Sequence, residues 1–396
     1  MRQRLQPTTD EAEALLEHAA QARFVWNLAL EQANQYRHDR GPTPGWAAQC
    51  RQLVQLRAEH NWIGTGSSSI QQQALKDLAQ AFINWWKRPG HFGRPTWRKR
   101  GQHEGFRVVN VTERSVEILH RRAATVFVPK VGRVRFRITR PVPLGIKSYR
   151  IRRDAAGRWW LAFAVKPQAL TRGEGEVGID RGVAQSLAFS DGTFSQTPSL
   201  SLPERRHLLR LQRKLARRVK GSVRRGRVKL AIARLRARES DRAKDWVEKQ
   251  TTRIVRASRL VVIEKLQIRN MVRSVKGSIE EPGKNVRQKA GLSRVILAQR
   301  WGLFARRLRE KSELAGVELI EVNPAYTSQQ CYACGHTAPE NRESQAKFRC
   351  QSCGRSANAD TNAAKNILAA GRAVNARGGT TVPLKREPTR DVRRAA

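Results

Sequence analysis

Apolar residues recur at intervals of three and four through the first ninety positions. Leu15, Ala19, Ala22, Trp26 and Ala29 fall on one side of a helix. Ahead of them, Thr8-Thr-Asp-Glu11 has the form of a capping box, with Glu11 placed to reach back to the Thr8 amide. A second helix is expected after Ser67-Ser-Ser69, carrying Leu75, Leu78, Phe82 and Trp85 at the same spacing and stopped by Pro89 and Gly90. Gly41-Pro-Thr-Pro-Gly45 reads as the loop between them, and Trp26, Trp85 and Trp86 are expected to pack between helices.

The period then drops to two. Arg133, Arg135 and Arg137 alternate with Val134, Phe136 and Ile138, and Arg150 and Arg152 alternate with Tyr149 and Ile151. In a strand this puts arginines on one face and apolar side chains on the other. Asp154-Ala-Ala-Gly157 makes a turn, and Trp159 to Val165 returns as the partner strand. A plain solvated face would also alternate, but one that is nearly all arginine favours phosphate contact. Arg94, Trp97, Arg98, Lys99 and Arg100 add cations beside an aromatic ring able to stack on a base.

Beyond residue 170 short apolar runs end in acids. Gly175-Glu-Val-Gly-Ile-Asp180 reads as a strand closing on Asp180; Gln185 to Ser190 turns at Asp191-Gly192 into a third strand at Thr193. Leu260-Val-Val-Ile263 suits a buried parallel strand that Glu264 closes. Glu318 to Asn323 adds another strand, and Asp360 stands where a last helix, Asn362 to Ala370, begins. Each acid alone is ordinary and would serve as a cap or a surface charge. Together, this order of elements is that of an RNase H-like fold, in which the three carboxylates converge. Converging carboxylates repel one another and need hard cations, magnesium or manganese. Two such ions about 4 Å apart activate water and stabilise the leaving oxygen in phosphodiester hydrolysis.

Charge narrows the partner. The 396 residues hold 77 Lys and Arg against 33 acids, a formal charge of +44. Such a chain repels itself unless a polyanion neutralises it, and nucleic acid is the obvious one. A membrane surface is the other candidate, but no long uncharged apolar run or leading signal segment is seen. Ribosomal proteins share such charge but are usually shorter, and the 39% hydrophobic content is enough for two or three cores. Residues 205–244 are densest, with seventeen Lys or Arg and only Glu239 and Asp241 as acids. Leu208, Leu211 and Leu215 make one stripe there and Val228, Ile232 and Leu235 another, broken between by Gly221 and Gly226. A basic helical hairpin laid on nucleic acid is expected, with Arg213, Lys214, Arg217, Arg218, Arg224, Arg225 and Arg227 as contacts.

Five cysteines remain. Cys331-Tyr-Ala-Cys334 and Cys350-Gln-Ser-Cys353 are two Cys-x-x-Cys pairs, whose four thiolates can close around one structural zinc ion with no open position. Gly335 and Gly354 follow the pairs where a knuckle needs positive φ. Two disulfides or a redox dithiol are the other readings, and both want an oxidising setting that nothing here suggests. His336 reads as a bystander, and Cys50 as a free thiol in a reducing cytoplasm.

These residues resemble the TnpB family of transposon-encoded RNA-guided DNA endonucleases, similar in turn to compact type V CRISPR nucleases. The resemblance covers nearly the whole chain. It is most specific in Gly178-Ile-Asp-Arg-Gly182, Val261-Val-Ile-Glu-Lys-Leu266, Asn323-Pro-Ala-Tyr-Thr-Ser-Gln329, the cysteine pairs and Ala359-Asp-Thr-Asn-Ala-Ala-Lys-Asn366. Phe24-Val-Trp-Asn27 and Phe82 to Trp97 match more weakly. It implies that Asp180, Glu264 and Asp360 are the three acids of a RuvC nuclease site, and that Cys331, Cys334, Cys350 and Cys353 hold the zinc of an inserted ribbon. The implied fold class is α+β and multidomain. A β-barrel wedge (1–10 and 92–170) is interrupted by a helical recognition insert (11–91). An RNase H-like RuvC domain (171–328 and 355–370) follows, carrying the zinc ribbon (329–354) and then a basic disordered tail (371–396). Guide RNA, target double-stranded DNA and a short target-adjacent motif are the implied partners, in a bacterial or archaeal cytoplasm, as monomer or homodimer. Ser274 to Gly291 falls where relatives carry a lid. Asn358 departs from the pattern, since many relatives carry an acid there, and reads as a neighbour rather than a ligand.

Two other functions compete. A nuclease-inactive, RNA-guided repressor would typically have lost one of the three acids. A transposase of the metal-binding tyrosine sort would need a His-x-His pair, and none stands among the eight histidines. Whether the chain serves a transposon or a CRISPR system is not written in the residues.

Overall fold

In the computed structural model, which describes residues 1–35, 43–165, 167, 169–278, 280–323 and 326–376, the chain divides into two units. The first comprises Met1–Lys166 and Leu208–Leu235, the second Pro167–His207 and Arg236–Ala396.

The first unit begins with β1 (Arg2–Leu5) and α1 (Thr9–Asn34). The capping box forms as expected: the Glu11 amide donates to Thr8 Oγ1 at 3.3 Å and the Thr8 amide to Glu11 Oε2 at 2.8 Å. The helical stripe is buried from Leu15 to Leu30. Next come α2 (Trp46–Glu59), α3 (Asn61–Gly64) and α4 (Ser68–Lys87). The pattern did not predict α2, because its sequence is rich in Gln and Arg and buries only Gln49 and Leu53. The loop expected at 41–45 falls partly outside the described residues; Thr43 to Gly45 is irregular.

Six strands follow: β2 (Gly105–Val109), β3 (Val116–His120), β4 (Ala123–Val128), β5 (Gly132–Arg137), β6 (Ser148–Arg153) and β7 (Trp159–Phe163). With β1 they form a seven-stranded antiparallel sheet, in the order β2-β6-β7-β1-β5-β4-β3. Among the described residues, no ladder joins the end strands β2 and β3. Helices cover one side of the sheet. The apolar side of the sheet, with Val134, Phe136, Tyr149 and Leu161, packs in one core with Leu15, Val25, Leu75 and Leu78 of α1 and α4. The alternation is as read: Val134 and Phe136 are fully buried, whereas Arg133, Arg135 and Arg137 are exposed.

The basic run forms α5 (Leu202–Ala216) and the 35-residue α6 (Val223–Ala257). Only Gly221, at φ +86°, lies in the break. Gly226 is not a breaker but sits in the first turn of α6, where nothing crowds it.

The second unit is built on β8 (Gly175–Asp180), β9 (Leu187–Phe189), β10 (Phe194–Ser195), β11 (Ser258–Glu264) and β12 (Glu318–Val322). Their order is β10-β9-β8-β11-β12. β8, β11 and β12 are parallel, and β9 and β10 return antiparallel through a turn at Gly192, φ +89°. The Leu260–Ile263 run is apolar throughout because both its faces are covered. Val261 and Ile263 join Val247, Val255, Phe304 and Leu308 on one side; Leu260 and Val262 meet Val322 and Ile367 on the other. Between β11 and β12 lie α7 (Ile268–Met271), α8 (Val286–Ala298) and α9 (Trp301–Ala315). After β12 a small ladder of β13 (Lys347–Arg349) and β14 (Ser356–Asn358) leads into α10 (Ala359–Ala376). α10 is longer at both ends than the predicted 362–370. The rest of the expected tail, 377–396, lies outside the described residues. Among those described, no helix is long and apolar enough to cross a membrane.

Candidate active site

Two glycines bring the acids together. α10 lies directly on β8 and β11, because Gly178 presents no side chain to the Ala364 carbonyl and Leu368, and Gly371 none to Val262. Asp180 at the end of β8, Glu264 at the end of β11 and Asp360 at the start of α10 then line one cleft of about 370 Å³. Arg181, Trp301, Thr327, Ser328, Arg342 and Gln345 line it too.

Electrostatics in the cleft are adverse to three bare acids. Burial, and then the charges of Glu264 and Asp360, push Asp180 up to about 7. Burial also raises Glu264 and Asp360; the Thr327 hydrogen bond and Arg181 counter it at Glu264, and Arg342 at Asp360. Arg181, itself buried, donates to the Glu264 carbonyl oxygen and so ties the end of β8 to β11. Asn358 serves the helix instead. Its Oδ1 accepts the Asp360 and Thr361 amides at 3.0 and 3.2 Å and caps α10.

Two residues of the cleft were not anticipated from the sequence. Arg342, beside the cysteine cluster, reaches within 3.6 Å of Asp360 Oδ1, and Thr327 donates to Glu264 Oε1 at 2.8 Å. No spacing rule marks either. The only available signal for Thr327 was its place in the 323–329 motif.

The four cysteines converge as expected. Cys331 Sγ lies 3.8 Å from Cys353 Sγ, and Cys334 Sγ 3.5 Å from Cys350 Sγ. A disulfide needs about 2.05 Å, whereas four sulfurs about 2.3 Å from a central zinc stand at this larger separation. Among the described residues they are the one group of three or more candidate ligands whose donor atoms all lie within 4.8 Å of one another. Gly335 and Gly354 take φ +77° and +71°, and their amides close each knuckle on Cys331 O and Cys350 O. Amides of Cys353 and Ser352 lower the Cys350 thiol from its ordinary value, while contact with the other thiols raises that of Cys334. His336 contributes its carbonyl oxygen, to the Cys331 amide. Cys50 is half-buried and apart.

The basic candidates separate into exposed and engaged groups. Arg135, Arg137, Arg213, Lys214, Arg217, Arg224 and Arg227 are exposed. Arg225 instead donates to the carbonyls of Leu215 and Arg218, fastening the turn between α5 and α6, and Arg218 is half-buried. Arg133 pairs with Glu117 at 3.1 Å. Arg98 stacks on Trp26 at 3.6 Å, its burial lowering it to about 10, while Asn27 bonds both its amide and its carbonyl. Arg94 donates to Asn34 and faces Trp85. Of the tryptophans expected in the core only Trp26 is buried. Trp86 is 65% exposed, 5.4 Å from Phe82 and 6.3 Å from the half-buried Trp85, and Trp97 is 47% exposed. This surface mixes aromatic rings with cations.

Comparison with known proteins agrees with the geometry. Residues 160–275 match the OrfB/IS605 family model described as "Probable transposase", and residues 301–367 match one described as "Cas12f1-like, TNB domain". Residues 1–41 match a model of the same OrfB/IS605 group described as "Helix-turn-helix domain", although residues 1–35 here form one strand and one long helix. A protein of Escherichia coli (strain K12) named "Putative RNA-guided DNA endonuclease InsQ" is 36% identical over 96% of this chain and 94% of its own. A Streptomyces pristinaespiralis protein named "Putative RNA-guided DNA endonuclease" is 28% identical over 98% and 92%. A Cas12f1 chain, solved with its guide and target DNA, superposes with a TM-score of 0.53 over 91% of this chain and 83% of its own, at 14% identity, and so shares the fold. With a 36% identical relative aligned over more than nine-tenths of both chains, the chain belongs to the TnpB (OrfB, IS605) family.

Proposed function

We propose that the protein is an RNA-guided DNA endonuclease that hydrolyses phosphodiester bonds at Asp180, Glu264 and Asp360. One observation carries the reading: three acids from β8, β11 and α10 line one cleft, where burial and then the charges of the other two push Asp180 up to about 7. Fully ionised, such a set requires cations. The donor set, all carboxylate, fits magnesium or manganese. Bound there, the ions would supply an activated water and neutralise the leaving oxygen.

The chain's own groups divide the work. Asp180, between the other two acids in its electrostatics, is assigned the bridging position. Arg342 is placed to meet a phosphate oxygen near Asp360. The strand order β10-β9-β8-β11-β12 supports an RNase H-like, RuvC-type domain, with residues 329–354 as its ribbon around one zinc ion. In this reading residues 1–10 and 92–170 form the wedge and 11–91 the recognition helices. Guide RNA and the target-adjacent DNA motif lie on the exposed arginines of β5, α5 and α6 and on the aromatic surface about Trp86 and Trp97.

Asp180→Ala tests the reading. Purified with its RNA and offered a plasmid carrying the matched target beside a randomised flank, the variant is expected to bind target as wild type does and to lose cutting. Wild-type protein that binds this target in magnesium and leaves it intact would refute the proposal.

A further inference from the structure

We propose that Thr327 is a positioning residue for Glu264, held in place by Asn362 and Asn366 of α10; the inference rests on the nuclease reading above. Thr327 is 7% exposed, and its hydroxyl donates to Glu264 Oε1 at 2.8 Å. A hydrogen bond to an ionised carboxylate is among the stronger neutral-to-charged contacts. It fixes the rotation of the carboxylate plane and leaves the second oxygen for a cation.

The hydroxyl is itself held from α10. Asn366 Nδ2 donates to the Thr327 carbonyl at 2.9 Å and to the Gln330 carbonyl at 2.6 Å. Asn362 Nδ2 donates to the same Gln330 carbonyl at 2.7 Å, while its Oδ1 accepts the Tyr332 amide at 3.1 Å. Both asparagines are buried. Two residues of the Asp360 helix thus grip the segment that enters the first cysteine knuckle, and that segment grips Glu264. The carboxylates of β11 and α10 keep register by this route as well as through the sheet. Both asparagines belong to the 359–366 motif, and the grip uses their side-chain amides: Asn366 donates twice, and Asn362 both donates and accepts.

Partners that orient a metal-binding carboxylate typically contribute 10- to 100-fold in metal affinity. Thr327→Val keeps the shape and removes the donor; Thr327→Ser keeps the donor. The test is iron(II)-promoted cleavage of the polypeptide beside Asp180 in the full protein with its RNA, a local readout that metal bound to RNA does not contaminate. Wild type should show it, and Asp180→Ala should not. Thr327→Val should raise the half-saturating iron concentration about ten-fold while keeping its zinc and its target binding, and Thr327→Ser should stay near wild type. In guided cleavage the Val variant should be slow at low magnesium and recover at high magnesium, a rescue that misfolding would not show. An unchanged half-saturation, a failed magnesium rescue, or loss of zinc in Thr327→Val overturns the proposal. Absence of iron cleavage in wild type instead removes the nuclease reading, and the proposal with it.

Discussion

Replacing Gly178 by alanine tests how the acids are brought together. A Cβ there would stand 2.8 Å from both the amide nitrogen and Cβ of Leu368, and closer still to the Ala364 carbonyl oxygen. Two of those three atoms belong to the backbone of α10, so no change of rotamer relieves the clash. Ordinary contact begins near 3.4 Å, so the helix must retreat by more than half an ångström. Overpacking of this kind costs about 1–3 kcal/mol. The larger effect falls on chemistry, because Asp180 lies two residues further along β8 and Asp360 opens α10. Separating reacting groups by about 1 Å can cost on the order of 100-fold in rate. Gly178→Ala is therefore expected to cut a matched plasmid about 100-fold more slowly, with target binding retained and a thermal midpoint only a few degrees lower, about 2–4 °C per kcal/mol. Gly226→Ala is the control, since nothing lies within 4 Å of its Cβ, and it should gain up to about 1 kcal/mol. A Gly178→Ala protein that melts and cuts like wild type would show that α10 does not rest on β8 at this point.

Cys350→Ser should lower bound zinc below one per chain by elemental analysis and destabilise the start of α10 beside it; full zinc with unchanged melting would count against the cluster. Asp180 is raised to about 7 from an unfolded value near 3.8, so the folded state binds the extra proton and metal-free stability should fall as pH rises from about 4 to 7, by up to about 4 kcal/mol at the conversion of 1.36 kcal/mol per unit. Melting in chelator from pH 5 to 8 should show that fall, and magnesium or Asp180→Asn should flatten it; a flat profile in chelator contradicts the crowded-acid picture. Replacing Arg213, Lys214, Arg217, Arg224 and Arg227 together by glutamine should weaken RNA binding and reduce its salt slope by about 0.7 for each phosphate no longer neutralised. Arg225 is left out because it fastens the turn between α5 and α6, and an unaltered slope would assign these charges elsewhere.

Features set by local chemistry were legible in the residues alone. Thr8 and Glu11 announce a helix start, Leu260 to Ile263 a strand covered on both faces, and two Cys-x-x-Cys pairs a tetrahedral cluster, because each pattern has few other physical outcomes. What escaped depends on partners distant in sequence. The Gln- and Arg-rich α2 has too little apolar periodicity to declare itself. Arg342 and Thr327 acquire their roles only when residues 264 and 360 arrive beside them. Arg225 looks like its exposed neighbours until the carbonyls of Leu215 and Arg218 turn toward it. Trp86 carries the apolar character of a core residue yet stands at the surface.

The positions of the three acids along the chain also set an order in time. Asp180, Glu264 and Asp360 leave the ribosome in that sequence, and at roughly 5–20 residues per second the last follows the first by roughly ten to forty seconds. α5 and α6, with their arginines, emerge within the first part of that interval. In the proposed reading, the arginines assigned to RNA are therefore made well before α10 can settle against β8. Translation interrupted between residues 257 and 360 leaves a chain that includes α5 and α6 and lacks Asp360. In the proposed reading, a message that loses its end encodes the cationic helices without the third acid, so that synthesis of the cutting site waits on the last part of the chain.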